Sequence, residues 1–213
     1  MKIPKSVRIK DTVSLFMNKY KYKIVLVCPV ANWFRGNDLD NVSARLAELT
    51  EAKPLASWIK IKTEDDKEFC YDLHKVMKSL SGYELRVEHP LINVYTNDTT
   101  HIEKLSAVDS TRVKYISIPN KDNPDLSTNS VIVKKLDFDY KIHMGRTRQE
   151  YSNFVQWANN NSKIRLPKKV IRDLSKSNSW GGGYFYVKGA NTLTMVRVFL
   201  GSDIAKIESV IKA

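Results

Sequence analysis

The stretch DFDYKIH, residues 137–143, places two carboxylates and an imidazole close together. In extended backbone alternate side chains share a face, so Asp137, Asp139 and His143 would stand on one side of a strand. Carboxylates two residues apart can hold a divalent ion, and Mg2+ held there could activate water for phosphodiester hydrolysis. Lys135 and Lys141 interleave on the same face, and ammonium groups between carboxylates predict surface salt bridges instead. Asp137, Asp139 and His143 are therefore the catalytic candidates of a nuclease alternative, with Mg2+ as its cofactor. Outside that alternative no cofactor and no metal site is expected. Four histidines at scattered positions and two cysteines do not make a zinc site, and no Ser-His-Asp or activated-cysteine arrangement stands out.

A second kind of chemistry needs rings and cations rather than carboxylates. In WIKIK, residues 58–62, Ile59 and Ile61 point inward, which leaves Trp58, Lys60 and Lys62 on the open face. In LINVYT, residues 91–96, Ile92 and Val94 point inward, so Asn93 and Tyr95 share that face, and Arg86 joins them from the neighbouring strand. Aromatics interleaved with cations on an open sheet suit single-stranded nucleic acid. Bases stack on the rings at about 1–3 kcal/mol each, and the cations hold phosphates.

Residues 140–190 repeat the theme. Lys141, Arg146, Arg148, Lys163, Arg165, Lys168, Lys169, Arg172, Lys176 and Lys188 face only two acids, Glu150 and Asp173. In a helix opened by Pro167, the residues Val170, Ile171 and Leu174 face inward while Lys168, Lys169, Arg172 and Lys176 face out, a surface for phosphates. Trp180, Tyr184 and Tyr186 follow, with Lys188 on the same strand face. Phosphate-binding glycine loops lead into helices. The glycines of WGGG lead into a strand, so they are expected to give a flexible entry to a hairpin.

The chain bounds these readings. It has 213 residues, 42% hydrophobic and 27% charged, enough to bury a core. Lysine and arginine outnumber acids 35 to 23, a net charge of +12, which favours polyanionic partners. Residues 120–213 carry 16 cations against 8 acids and hold most of the excess. Cys28 and Cys70 lie in apolar surroundings, as reduced thiols of a cytoplasmic protein do. The longest apolar run, residues 24–34, is too short to span a bilayer, so no membrane partner is expected. Abundant lysine and asparagine suggest an AT-rich genome such as a phage's.

The elements that must position these residues form two groups. Residues 119–130, PNKDNPDLSTNS, read as a linker. Before it, residues 57–118 give the order strand, helix, strand, strand, helix, strand: the 58–62 strand, a helix capped by Thr63 with Asp66 completing a capping box, strands 83–87 and 91–96, a helix from Asn97, and strand 112–118. A helix near 11–18, a strand at 23–30 and a helix at 38–49 precede or extend that unit. After the linker come one alternating strand over 131–144, helices at about 148–160 and 167–176, a hairpin turning at residues 189–191, and a last helix capped by Ser202.

The expected fold class is α+β: two related ferredoxin-like, split βαβ units, with antiparallel sheets and helices on one face. The units are residues 1–119 (core 57–118) and 131–213, joined by 120–130. The expected function is non-catalytic binding of single-stranded or structured RNA or DNA, as in a phage replication or regulatory factor. The alternatives are a nuclease, or a virion or assembly component with protein partners or self-association.

Overall fold

The computed structural model describes residues 1–50, 61, 63–122 and 125–212, and for Thr50 the backbone alone. The chain divides into two compact units, the first Met1–Thr12 with Lys19–Asn120, the second Val13–Asn18 with Lys121–Ala213. Each has its own hydrophobic core. Among the described residues no helix is long and apolar enough to cross a membrane.

In the first unit the strands are β1 (Ile9–Asp11), β2 (Tyr22–Val27), β3 (Glu84–Glu88), β4 (Leu91–Thr96) and β5 (Val113–Ile118), and the helices are α1 (Leu39–Thr50), α2 (Glu64–Lys78) and α3 (Thr99–Val108). β2 is rich in β-branched residues and sends Ile24 and Leu26 into the core. α2 starts as its sequence requires. Asp66 N–H donates to Thr63 Oγ1 at 3.2 Å, and Thr63 N–H donates to Asp66 Oδ2 at 3.3 Å. Phe69, Cys70, Leu73 and Met77 form its buried stripe. Arg112 ties that helix start to the α3–β5 corner. Its guanidinium lies 2.8 Å from Asp66, 3.1 Å from Asp109 and 4.7 Å from the centroid of the Phe69 ring. α3 is capped one residue later than its sequence suggests: Asp98 Oδ1 accepts the Thr100 N–H at 2.8 Å. Asn97 instead bonds the backbone of Lys21 and Lys19.

The second unit holds β6 (Ser130–Val133), β7 (Tyr140–Met144), α4 (Ser152–Asn159), β8 (Ile164–Arg165), α5 (Lys168–Leu174), β9 (Tyr184–Val187), α6 (Ala190–Leu200) and β10 (Ile204–Lys212). The strand orders are β1-β5-β2-β4-β3 and β6-β10-β7-β9-β8. Written by rank within each unit, these are the same order. The pairing directions match as well: each sheet has one parallel pair, β1 with β5 and β6 with β10, and is antiparallel elsewhere.

The likeness reaches single residues. Ile24 pairs with Ile116 and Val94, and Ile142 pairs with Ile207 and Phe185. Each is preceded by Tyr-Lys, giving YKI at 22–24 and at 140–142. One residue on, both sheets have a bulge: Val25 pairs with Tyr115 but Leu26 with Val113, and His143 pairs with Lys206 but Met144 with Ile204. A 3-10 turn, Ser110–Arg112 or Gly201–Asp203, precedes the last strand in both.

Several expectations are corrected. The expected antiparallel sheets each carry a parallel edge pair. Trp58, Ile59, Lys60 and Lys62 lie outside the described residues, Ile61 packs on the first core without being in a strand, and β2 is the strand that precedes α1 and α2. Residues 12–18 form no helix. The 131–144 run is two strands, because Lys135 takes a left-handed φ of 66° and breaks the alternation; β10 lies between them. The expected hairpin is β9 followed by α6, since Leu193, Val196 and Leu200 recur at helical spacing. The expected last helix is β10: Gly201 ends α6 and IAKIESVIK enters the sheet.

Ile24 and Ile142 are both fully buried at the same register position. Ile24→Ala and Ile142→Ala should each cost about 2–5 kcal/mol in denaturant unfolding.

Candidate nucleic-acid interface

Alternation sends every second side chain of the central strands away from the helices. In the first unit that face carries Lys10, Tyr115, Lys23 and Tyr95, one from each of four adjacent strands. The Lys10 ammonium sits 3.7 Å from the centre of the Tyr115 ring, and Lys23 sits 5.5 Å from Tyr115 and 5.3 Å from Tyr95. The face has the expected residue types, but one of its two rings is sealed. Tyr95 is 6% exposed and Asn93 2%, with Asn93 Nδ2 donating to the Arg86 carbonyl at 3.1 Å. Arg86 is exposed and pairs with Glu88 at 3.0 Å. Strand alternation gave the side-chain direction correctly; close packing on that face removes Tyr95 from the surfaces a base could reach.

The second unit presents a different surface. Ile142, Met144, Phe185 and Val187 face the helices, so Lys141, His143, Tyr184 and Tyr186 face the other way. Tyr184 is 43% exposed. The Lys141 ammonium lies 4.2 Å from the centre of the Tyr184 ring, and Tyr186 meets that ring edge-on at 5.8 Å. Beneath them lies Glu208 of β10, its side chain 5% exposed. His143 Nε2 donates to its Oε2 at 2.7 Å, and Lys206 Nζ donates to its Oε1 at 2.7 Å and to Asn18 Oδ1 at 2.6 Å. Burial pushes Glu208 up, but the bonds from Lys206 and His143 outweigh it and hold the carboxyl below its ordinary range. Desolvation draws Lys141 below the usual lysine range, and burial raises Tyr186.

Beyond His143 and Tyr184 the β7–β9 ladder continues irregularly to a last bridge between Thr147 and Ser179. Arg146 and Trp180 flank it, the guanidinium 4.9 Å from the indole, and Trp180 is 84% exposed. Arg148 is also exposed. Gly181 and Gly183, the outer two of the three glycines, form a packed crossing, while Gly182 between them faces open space. A Cβ on Gly181, whose φ is +73°, would lie 1.9 Å from the Gly145 carbonyl oxygen, and one on Gly183 would lie 2.8 Å from Val170 Cγ2.

The remaining candidates are dispersed. Lys168, Lys169, Arg172 and Lys176 are exposed as expected, but α5 packs through Val170 and Leu174 on the helix side of the sheet. Its cations and the Tyr184 surface therefore emerge on opposite sides. Lys188 is exposed and pairs with Asp137. Lys188 and Lys212 hold Asp137 down to about 2. Asp139 Oδ2 accepts the Gly189 N–H at 2.8 Å, and Lys212 stands 3.9 Å from its other oxygen. Neither aspartate joins His143, because both precede β7 and its alternation. Among the described residues no three His, Cys, Asp or Glu side chains cluster as a metal site. Sequence reasoning missed Lys206 and Glu208, which alternate along KIE at 206–208 and become visible only once that segment is read as a strand.

No family model matches the chain, and no curated protein or solved structure matches it.

Two outcomes follow from this geometry. Gly181→Ala should cost about 2–4 kcal/mol in denaturant unfolding, because the opposing atom is backbone and the φ is left-handed. Glu208 has a folded-state pKa lowered from 4.5, so its contribution is complete above that value and is lost as pH falls through the folded one. In urea titrations across pH, the stability difference between wild type and Glu208→Gln should shrink as the solution is acidified through the carboxylate range.

Proposed function

We propose that the protein binds single-stranded nucleic acid through the open sheet face of its second unit. We further infer that each sheet, without its parallel edge strand, is a ferredoxin-like split βαβ, the two units being copies of one plan. Ferredoxin-like sheets commonly offer their uncovered face to single strands, with rings under the bases and cations beside the phosphates. The observation that carries the reading is the Lys141–Tyr184 pair: an exposed ring with an ammonium against it, beside Tyr186 and Lys206. Arg146 on Trp180 offers a second such pair at the end of the same ladder. Both combine a stacking platform with a phosphate partner, and net charge of +12 adds long-range attraction. The cations of α5 lie on the other side, where they raise general affinity without touching the stacked bases.

The metal-dependent nuclease reading loses its ligands to Lys188, Lys212 and the Gly189 amide, which occupy Asp137 and Asp139.

Fluorescence anisotropy with labelled single-stranded RNA and DNA tests the proposal. Log Kd should rise with log salt, with a slope of about 0.7 for each phosphate contacted. Tyr184→Ala should weaken binding about 5- to 100-fold, as expected for one lost stacking platform, and Lys169→Ala much less. A flat salt response, or Tyr184→Ala binding as tightly as wild type, would overturn it.

A further inference from the structure

The two units share a scaffold, and the positions where they differ are informative. Lys23 and Lys141 occupy one register position, and Tyr95 and Tyr186 another. His143, however, stands where the first unit has Val25, and Glu208 where it has Ser117. The same bulge, strand order and buried isoleucines form in the first unit without a histidine or a carboxylate at these places. The fold therefore does not require the His143–Glu208 pair, although burying a carboxylate is costly. Both partners of the pair are present in one unit and both are absent from the other.

We propose that His143 and Glu208, with Lys141 and Tyr184, form a metal-independent site that cleaves RNA by attack of the ribose 2′-hydroxyl on the adjacent phosphate. The proposal rests on the nucleic-acid reading above and adds chemistry to it. Glu208 is a positioning residue: it holds the Nε2 proton of His143, so Nδ1 carries the lone pair. Among the described residues nothing is hydrogen-bonded to Nδ1, and the ring is 31% exposed. Its centre lies 5.9 Å from that of Tyr184, so a base stacked on Tyr184 brings its sugar beside the imidazole. Lys141 is two residues away on the same strand face, about 7 Å along the chain. That spacing lets the two groups stand on opposite sides of one phosphorus. His143 Nδ1 takes the proton of the 2′-hydroxyl as the 2′-oxygen–phosphorus bond forms. The bond from phosphorus to the 5′-oxygen breaks, and that oxygen takes a proton from the Lys141 ammonium. The products are a 2′,3′-cyclic phosphate and a 5′-hydroxyl. Solvent then returns a proton to Lys141 and removes one from His143, so no metal, oxidant or other co-reactant is needed.

The experiment incubates labelled single-stranded RNA with the full chain in excess chelator, beside an anisotropy measurement on the same RNA. Cleavage with a 2′,3′-cyclic end is expected, blocked wherever the nucleotide 5′ of the cut is 2′-deoxy, while binding of the deoxy substrate is kept. His143→Ala should slow cleavage at least 100-fold with binding kept within about threefold. Glu208→Gln should slow cleavage at least tenfold with binding kept, and Glu208→Asp should restore part of the rate, a rescue that lost packing would not give. Tight binding with no cleavage, cleavage of the deoxy substrate, or full activity in His143→Ala would overturn this proposal alone. Absence of any binding would overturn it together with the nucleic-acid reading. The deoxy substrate decides the matter even if a variant fails to fold.

Discussion

A carboxylate at 5% exposure must be satisfied on both oxygens, and on the second sheet Glu208 is. Lys206 bonds one oxygen and His143 the other. From that requirement the rest of the surface follows. Lys206 is drawn toward the carboxylate, its ammonium held also by Asn18. The imidazole is turned to present one nitrogen to Glu208, and Lys141, opposite Glu208 in the register, leans over Tyr184 instead. A neutral residue at 208 would leave two cations and a histidine crowded without a counter-charge.

What places Glu208 opposite Lys141 is the register of β7 on β10, and that register passes through a bulge. The first sheet has a bulge at the same step. Shared order, shared pairing directions, a shared bulge and a shared YKI describe a scaffold used twice. Its helix face is generic, filled by apolar side chains in both units. The open face is where the two units differ. In the first it is a ladder of lysines over tyrosines, with Tyr95 sealed. In the second Tyr184 is exposed, and a hydrogen-bonded His143–Glu208 pair stands where the first has Val25 and Ser117.

Much of this was legible in the amino-acid order, and the failures have physical causes. The capping box at Thr63 and Asp66, the hairpin strands around His89-Pro90 and the basic character of residues 140–190 were all readable, because caps, turns and charge are local. The strand expected over 58–62 falls almost wholly outside the described residues, and the central strand of the first sheet is β2, which pairs with strands far away in sequence. The segment 190–212 was read with helix and strand exchanged: LTMVRVFL is β-branched but buries at helical spacing, and IAKIESVIK follows a capping-like GSD but lies in the sheet. That exchange hid Lys206 and Glu208, and it left His143 matched with Asp137 and Asp139, its neighbours in sequence but not in space. The direction of Tyr95 was right and its exposure wrong, because alternation reports which side a side chain takes and not what packs there.

The central claim is spatial: the open sheet face of the second unit meets the nucleic acid. Photo-crosslinking of the full chain to single-stranded RNA carrying 4-thiouridine, with the attached peptides mapped by mass spectrometry, reads that contact directly. Attachment concentrated at Tyr184, Tyr186 and Trp180 is the predicted result. Attachment confined to α5 or to the first unit, with β9 unmodified, would contradict it.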